Sequence, residues 1–153
     1  MATITTEQIK ELRELTGISV MQCKKALEEA DGDKEKALLV LRERSEAIAE
    51  KKGDRELGAG VVDAYIHSTK MMGSLIELSC ETDFVARNEE FIGIARDIAM
   101  HITAVGPADV AELLEQPFIK NPEITIKQVL DGGVQKFGEK IAVSRFTRFA
   151  VGE

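Results

Sequence analysis

Few residues of this chain have the types and spacing that enzyme chemistry requires. The only two histidines, His67 and His101, fall on a predicted strand and near a predicted helix end, without a Ser or Cys motif beside either. Glu81 and Asp83 flank Thr82, but the change from strand to turn directs their carboxylates differently, which does not suit an acid and base pair. The sequence therefore predicts that the protein is not an enzyme.

Metal, nucleotide and disulfide chemistry are not indicated either. No glycine-rich phosphate loop follows a predicted strand. The two cysteines, Cys23 and Cys80, lack metal-ligand spacing, and so small a number favours a reducing compartment. The formal net charge of −7 disfavours direct binding to nucleic acid, which needs clustered Lys and Arg. We expect no cofactor, no metal and no nucleic-acid partner.

The stretch with the most distinctive pattern is CETDFVARNEEF, residues 80–91. An alternating apolar run ends at Cys80 and a helical pattern begins at about Asn88, so Phe84 lies where the chain turns a corner. Two interpretations stay open on these residues alone. Phe84 is buried under the next helix, or it is a rigid aromatic anchor, flanked by the carboxylate of Asp83, that inserts into a partner.

Three short helices are predicted before this corner. Thr5 and Gln8 form a predicted capping box, and Gly17 suits the left-handed position that ends the first helix. Ser19 and Asp33 are predicted to cap the second and third helices. The apolar stripes are Ile9, Leu12 and Leu15; then Cys23, Ala26, Leu27 and Ala30; then Ala37, Leu38 and Leu41. These stripes predict a compact three-helix bundle.

The second helix also has apolar residues on its outer face. At about 100° per residue, Met21 lies roughly opposite the buried stripe, with Val20 beside it and Lys24 nearby. Single exposed apolar residues are normal, so this patch is either ordinary surface composition or a small binding surface. A flexible thioether suits an adaptable contact.

The rest of the chain predicts an α+β domain. Residues 46–55 are charged and predict a linker, which continues the third helix before a break near Gly53. A hairpin, helices and a last strand follow, predicted at 61–67, 74–80, 88–106, 112–114, 117–119, 126–137 and 141–151. The fold class is therefore α+β, with a three-helix module and linker (1–53) before a small antiparallel three-stranded sheet packed with helices (54–153).

Both faces of the last strand are apolar. Alternation predicts two sets on opposite faces, Ile141, Val143 and Phe149 on one and Ala142, Phe146 and Ala150 on the other. Helices cover one face of such a sheet, and soluble monomers seldom expose a large contiguous apolar patch. We therefore expect a homodimer formed by the sheets of two chains.

Length, composition and hydropathy bound the remaining possibilities. The 153 residues suit one good-sized domain, or a small module joined to a larger one. With 44% hydrophobic and 31% charged residues, the composition is typical of a soluble globular protein. The first five residues lack a secretory pattern, and no apolar run approaches the roughly 20 residues that span a bilayer. We expect a cytoplasmic protein without membrane contact.

Three blocks of the sequence resemble one protein family. They are TDFVARN at 82–88, LRELTG at 12–17 followed by CKKAL at 23–27, and GEKIAVSRFTRF at 138–149. In this order they resemble elongation factor Ts, the guanine-nucleotide exchange factor of elongation factor Tu. The helical bundle resembles a ubiquitin-associated module. Short members of the family look dimeric too. Family members often have a longer helical excursion before the segment that corresponds to residues 116–118. This chain crosses to that segment almost directly, which puts in doubt any contact that the excursion supplies.

The resemblance implies a function and a set of contact residues. A protein of this kind promotes GDP release by gripping the nucleotide-binding domain of elongation factor Tu and disturbing its Mg²⁺ and phosphate site. The contact residues that it implies are Arg13, Val20, Met21, Lys24, Thr82, Asp83, Phe84 and Val85.

Two other functions stay open on the residues themselves. One is an adaptor whose helical module binds ubiquitin-like surfaces, which would need the chain only up to about Ser45 and leaves the corner at Phe84 unexplained. The other is a hydrolase with an unrecognised site, which requires convergent titratable groups that the sequence does not indicate.

Overall fold

A computed structural model describes residues 3–153 and has the predicted α+β architecture. The helices are α1 (Thr6–Thr16), α2 (Val20–Glu29), α3 (Lys34–Lys51), α4 (Asp83–Ala86), α5 (Glu89–Val105), α6 (Val110–Glu115) and α7 (Ile126–Phe137). The strands are β1 (Ala59–Ile66), β2 (Met72–Cys80), β3 (Pro117–Phe118), β4 (Asn121–Thr125) and β5 (Ala142–Ala150). The predicted fold class is confirmed. Over this range, no helix is both long enough and apolar enough to cross a membrane.

The N-terminal bundle is built from the predicted local signals. The side chains of Thr5 and Gln8 each accept a hydrogen bond from the other residue's backbone amide in a capping box, and α1 ends at Gly17 with a φ of 69°. The side chains of Ser19 and Asp33 accept hydrogen bonds from the first amides of α2 and α3. The helices enclose a small core of Leu12, Ile18, Cys23, Ala26, Leu27, Ala30, Ala37 and Leu41.

The predicted stripe of α1 is wrong at Leu15, which is 55% exposed. Leu12 is fully buried against α2 and α3, but a residue three positions further on is rotated by about 60° from it. At the end of so short a helix, this rotation takes Leu15 away from the bundle core. It lines instead a groove of about 390 Å³ between the bundle and α5, β4 and α7.

Helix α3 links the small core to a larger one. Its second half is the segment predicted as a linker that continues the third helix, and it is helical to Lys51. Ile48 and Ala49 pack against the larger core, and the Ser45 hydroxyl donates a hydrogen bond to the Gln135 side chain of α7. Between α3 and β1, only residues 52–58 have irregular structure.

Strand β2 lies at the centre of the sheet, in the order β1-β2-β5. It pairs antiparallel with β1, from Ala59 opposite Cys80 to Ile66 opposite Gly73. Ile76, Leu78 and Cys80 alternate onto one face and are fully buried there, with α5 packed across β1 and β2. The larger core therefore lies on one side of the sheet, between its strands and the helices.

Strand β5 contains a bulge that its sequence did not reveal. Glu77 of β2 pairs with Arg145, but the next residue, Leu78, pairs with Val143, so Ser144 is an extra residue in the ladder. The Ser144 hydroxyl shares a 2.6 Å hydrogen bond with the hydroxyl of Ser79. The bulge shifts the alternation of side chains by one residue in the second half of the strand.

The predicted faces of β5 are consequently wrong. Val143 and Phe146 both pack against the larger core, although strict alternation places them on opposite faces. Phe149, which was grouped with Ile141 and Val143, lies on the other face of the sheet and is 75% exposed. Alternation fails here because it assumes an unbroken ladder.

The uncovered side of the sheet carries a set of exposed apolar residues. Val62 and Ile66 of β1, Leu75 of β2, and Phe149 and Val151 at the end of β5 are all exposed. We call these five residues the outer-face patch. Four of them, Ile66, Leu75, Phe149 and Val151, line a shallow hollow of about 310 Å³.

His101 of α5 is hydrogen-bonded to the segment that connects α5 to α7. Its side chain is fully buried, and the Nδ1 atom accepts a 3.1 Å hydrogen bond from the amide of Ile119. The Nε2–H group therefore donates to the Gln116 side chain, 2.9 Å away. Burial lowers the pKa of His101 and keeps this neutral tautomer. Both ring nitrogens are therefore used in contacts within the fold.

Candidate protein-binding site

The corner predicted after β2 is a single turn of helix, α4. Thr82 caps it, with the Oγ1 atom accepting a 3.5 Å hydrogen bond from the amide of Val85. The helix ends at Arg87, and Asn88 caps α5 directly afterwards. The sequence predicts a corner here but not a helix. The signal that could have found it is Thr82 followed by an acidic residue in the first turn, Asp83.

Helical geometry turns Phe84 away from the core. Val85 and Ala86 are 4% and 5% exposed and pack into the larger core, while Phe84 is 87% exposed. Neighbouring residues of a helix point about 100° apart, so the buried pair fixes the outward direction of the ring. The interpretation of Phe84 as a core residue is therefore wrong. Val85, which the resemblance implied as a contact residue, lies in the core and supports the corner from below.

One carboxylate binds the N-terminal side of the corner. The Oε1 atom of Glu139 accepts hydrogen bonds from the amides of Glu81 (3.1 Å) and Thr82 (3.0 Å). Its Oε2 atom accepts a 2.6 Å hydrogen bond from the Thr82 hydroxyl. Glu139 follows Gly138, the left-handed residue that ends α7 with a φ of 72°. The corner is thus held by a loop nearly 60 residues further along the chain.

A second set of polar contacts joins the same loop to the segment before β1. The Glu81 carboxylate accepts hydrogen bonds from the Lys140 amide (2.6 Å) and the Arg55 guanidinium (3.2 Å). The Lys140 ammonium donates to the carbonyl of Gly53, 2.7 Å away. Desolvation raises the pKa of Glu81, but the Lys140 and Arg55 hydrogen bonds outweigh it and bring the pKa below its ordinary value. Three chain segments therefore meet at the base of the corner.

The Cys80 side chain lies beneath the corner as an unreactive thiol. The Cys80 thiol is buried and donates a 3.2 Å hydrogen bond to the Thr82 carbonyl. Desolvation, and then the charge of Glu139, raise the pKa of this thiol, which disfavours the reactive thiolate. Among residues 3–153, no three His, Cys, Asp or Glu side chains are grouped so that they could hold a metal ion.

The other implied contact residues lie on the helical bundle. Met21 is 66% exposed at the start of α2, and Val20 beside it is also exposed. Lys24, one turn further along α2, and Arg13 of α1 are exposed as well. We call these four residues the bundle patch. The structure thus divides the implied set between the bundle patch and the corner residues Thr82, Asp83 and Phe84, with Val85 beneath.

A three-stranded sheet packed with helices on one side and joined to a helical bundle defines an α+β protein. Comparison with known proteins identifies its family. The family model described as Elongation factor TS matches residues 2–112 and 81–153, which together span nearly the whole chain. The chain belongs to the elongation factor Ts family.

Several relatives named Elongation factor Ts are similar over almost the full chain. The protein of Carboxydothermus hydrogenoformans is 43% identical, over 98% of this chain and 90% of the relative. That of Thermodesulfovibrio yellowstonii is 42% identical, over 98% and 97% respectively. That of Desulforamulus reducens is 41% identical, over 100% and 91%. The resemblance found in the sequence is confirmed.

The relatives are longer than this chain within the matched region. The alignment with the Carboxydothermus hydrogenoformans protein covers 195 positions, so at least 42 of them have no counterpart among the 153 residues here. This chain passes from the end of α5 to β3 through residues 106–116, which contain only the short helix α6.

Proposed function

We propose that this protein is a guanine-nucleotide exchange factor that promotes GDP release from elongation factor Tu. The observation that carries the proposal is Phe84, a large aromatic side chain that is 87% exposed on a turn braced from two sides. An exposed, rigidly held aromatic residue is the usual form of an interface anchor. Membership of the elongation factor Ts family supplies the partner.

Exchange requires that the protein bind nucleotide-free Tu more tightly than the GDP-bound form. By linkage, such a protein weakens the affinity of Tu for GDP by the same factor. The bundle patch, residues Arg13, Val20, Met21 and Lys24, grips the nucleotide-binding domain. The corner then enters near the Mg²⁺ and phosphate site, where Phe84 and Asp83 disturb the contacts that hold the charge of the nucleotide. No bond is made or broken, so the protein acts without being an enzyme itself.

The direct test is the rate at which Tu releases GDP. Tu loaded with a fluorescent GDP analogue is mixed with excess unlabelled GDP, with and without this protein. We expect the loss of fluorescence to accelerate as the protein is added, up to a plateau. Equal rates with and without the protein, at concentrations where the two proteins bind, would refute exchange activity. A GTPase of another family, unaffected by the protein, is the control for specificity.

We propose further that the protein is a homodimer joined through the outer-face patch. Two sheets that pack face to face lie about 10 Å apart with interdigitating side chains. Exposed Val62, Ile66, Leu75, Phe149 and Val151 supply such a surface on the uncovered side of this sheet. A patch of this kind on a soluble protein marks an interaction site. A second copy presents the same surface and is complementary to it by symmetry.

We also propose that the protein is cytoplasmic, where Tu works. We propose further that the chain divides into two units at about residue 53. The bundle has its own core, which supports independent folding of residues 1–53. Such a fragment would expose Ile48 and Ala49, which pack against the larger core in the whole protein. We expect it to bind Tu weakly without accelerating GDP release, because it lacks the corner.

A further inference from the structure

The corner that bears Phe84 is too short to hold its own shape. Helix α4 has four residues, and an isolated helical turn is unstable because nucleation fixes several dihedral angles for a single hydrogen bond. Burial of Val85 and Ala86 holds its C-terminal half. Its N-terminal end, formed by the cap residue Thr82 and the first residue Asp83, is exposed and has no apolar anchor in the core.

Glu139 holds the N-terminal end of α4 by hydrogen bonds. Its carboxylate accepts three hydrogen bonds, from the amides of Glu81 and Thr82 and from the Thr82 hydroxyl. Because that hydroxyl gives its only proton to Glu139, its lone pairs are left to accept from the amide of Val85, which is the capping bond of α4. A donor that is itself bonded to a carboxylate is also a better acceptor. Glu139 thus supports the cap of α4.

The neighbouring contacts make the support directional. Lys140 follows Glu139. Its backbone amide donates a hydrogen bond to the Glu81 carboxylate, and its ammonium donates one to the Gly53 carbonyl. The loop therefore contacts both the corner and the segment by which the helical bundle joins the sheet. Movement of Glu139 would change the direction in which Phe84 points relative to the rest of the molecule.

We infer that Glu139 is a positioning residue for exchange: it holds the N-terminal end of α4 so that Phe84 meets its partner in one fixed direction. The inference rests on the proposed exchange function, because it assigns the working side chain to Phe84. Glu139 itself lies at the base of the corner and acts through Thr82. It is half-buried, so its effect differs from that of a surface charge that steers encounter.

The test is a double-mutant cycle of Glu139→Ala and Phe84→Ala, read as the GDP-release rate at saturating protein. We expect Glu139→Ala alone to slow release by about fivefold or more, a typical coupling between groups in contact. In the Phe84→Ala background the same substitution should have almost no further effect, because the side chain that it positions is gone. The matched control is Glu112→Ala, which removes a carboxylate that accepts a backbone amide, from Ala108, at the start of α6.

A second readout uses the free protein and does not depend on Tu. In hydrogen exchange, Glu139→Ala should speed exchange at the amides of Glu81, Thr82 and Val85, while the amides of α5 keep their protection. Glu139→Gln, which keeps the size of the side chain and one acceptor oxygen, should lie between wild type and Glu139→Ala in both measurements. It also serves if the alanine variant does not fold.

The outcomes separate the inference from the proposed function. Unchanged release by Glu139→Ala, or equal slowing with and without Phe84, would overturn the positioning role while leaving exchange intact. Slowing that follows a general loss of hydrogen-exchange protection would mean that Glu139 only stabilises the fold, and would overturn it too. If wild-type protein does not accelerate GDP release at all, the proposed nucleotide-exchange function fails. Faster hydrogen exchange at the corner in Glu139→Ala would then show that Glu139 supports the corner without a role in nucleotide exchange.

Discussion

Two of the six phenylalanines, Phe84 and Phe149, are exposed, and their surroundings differ sharply. Phe84 stands alone on a one-turn helix, with Thr82 and Asp83 before it in the chain and Arg87 after it, all exposed. Phe149 lies on a strand beside other exposed apolar side chains, among them Leu75 and Val151. One is an isolated projection in a polar setting, and the other belongs to a flat apolar surface.

This difference indicates two kinds of partner. A single projecting ring suits a pocket, where its burial produces a large free-energy change over a small area. A flat apolar surface gains from being covered entirely, and a symmetric second copy does so without a specialised pocket. We therefore expect a substitution of one ring to leave the interaction made by the other unchanged.

The largest effect is expected for the outer-face patch. Phe149→Glu removes an apolar ring and introduces a charge twice in each dimer, because the symmetric interface contains both copies. We expect dimerisation to weaken by at least about 3 kcal/mol, since burial of a Phe side chain contributes about 1.5–3 kcal/mol in each chain. Sedimentation of wild type and variant at tens of micromolar would measure the change.

The behaviour of the monomer completes that experiment. If the two rings are independent, the Phe149→Glu monomer still accelerates GDP release per chain. A wild-type protein that sediments as a monomer at these concentrations would contradict the dimer proposal. If Phe149→Glu abolishes both dimerisation and the acceleration of GDP release, the two surfaces depend on each other.

An intermediate effect is expected at the corner. Phe84→Ala should cost about 2 kcal/mol or more in the exchange-competent complex, the scale of an aromatic hot spot, or roughly a thirtyfold loss of affinity. Its free energy of unfolding should change by less than about 0.5 kcal/mol, because the ring is 87% exposed. Thermal melting and fluorescence-detected GDP release of the same preparation give both numbers.

Phe91→Ala is the matched control for that substitution. Phe91 is fully buried in the larger core, so its truncation should cost about 3–5 kcal/mol of folding stability. A comparable drop for Phe84→Ala, with exchange activity retained, would mean that Phe84 acts in packing and not in contact with Tu.

The smallest effect is expected for the charge beside the ring. Asp83→Ala should weaken exchange in the same direction as Phe84→Ala, by about 1 kcal/mol or less, since Asp83 is an exposed carboxylate in the first turn of α4. Because salt screens charges but not apolar contacts, its effect should shrink as ionic strength rises. An Asp83→Ala effect that equals that of Phe84→Ala at high salt would contradict this ranking.

Local signals in the sequence were sufficient for most of the fold. The capping box at Thr5, the left-handed glycines Gly17 and Gly138 and the alternating run before Cys80 each determine their structure within a few residues. The aromatic residue at the corner could be singled out in the same way, because an apolar side chain among polar ones is visible in sequence. Its exposure could not be decided, since a loop aromatic can face either way.

The features that were missed depend on residues far apart in the chain. The bulge at Ser144 arises from pairing with β2, and alternation within β5 carries no trace of it. Val85 was assigned to the contact set with its neighbours, but the helical turn directs it inward. The support of Thr82 by Glu139 spans 57 positions, and no pattern of residue types indicates which distant carboxylate reaches a given amide.

The two buried cysteines give this protein a built-in pair of reporters. Cys23 lies in the core of the bundle and Cys80 in the core beneath the corner, and desolvation raises the pKa of both thiols. A thiol reagent added to the native protein can therefore react only when the surrounding unit opens, so each labelling rate measures the opening free energy of one core. Different opening free energies at the two sites would show that the bundle and the sheet unfold as separate cooperative units, and equal values would show that α3 couples them into one.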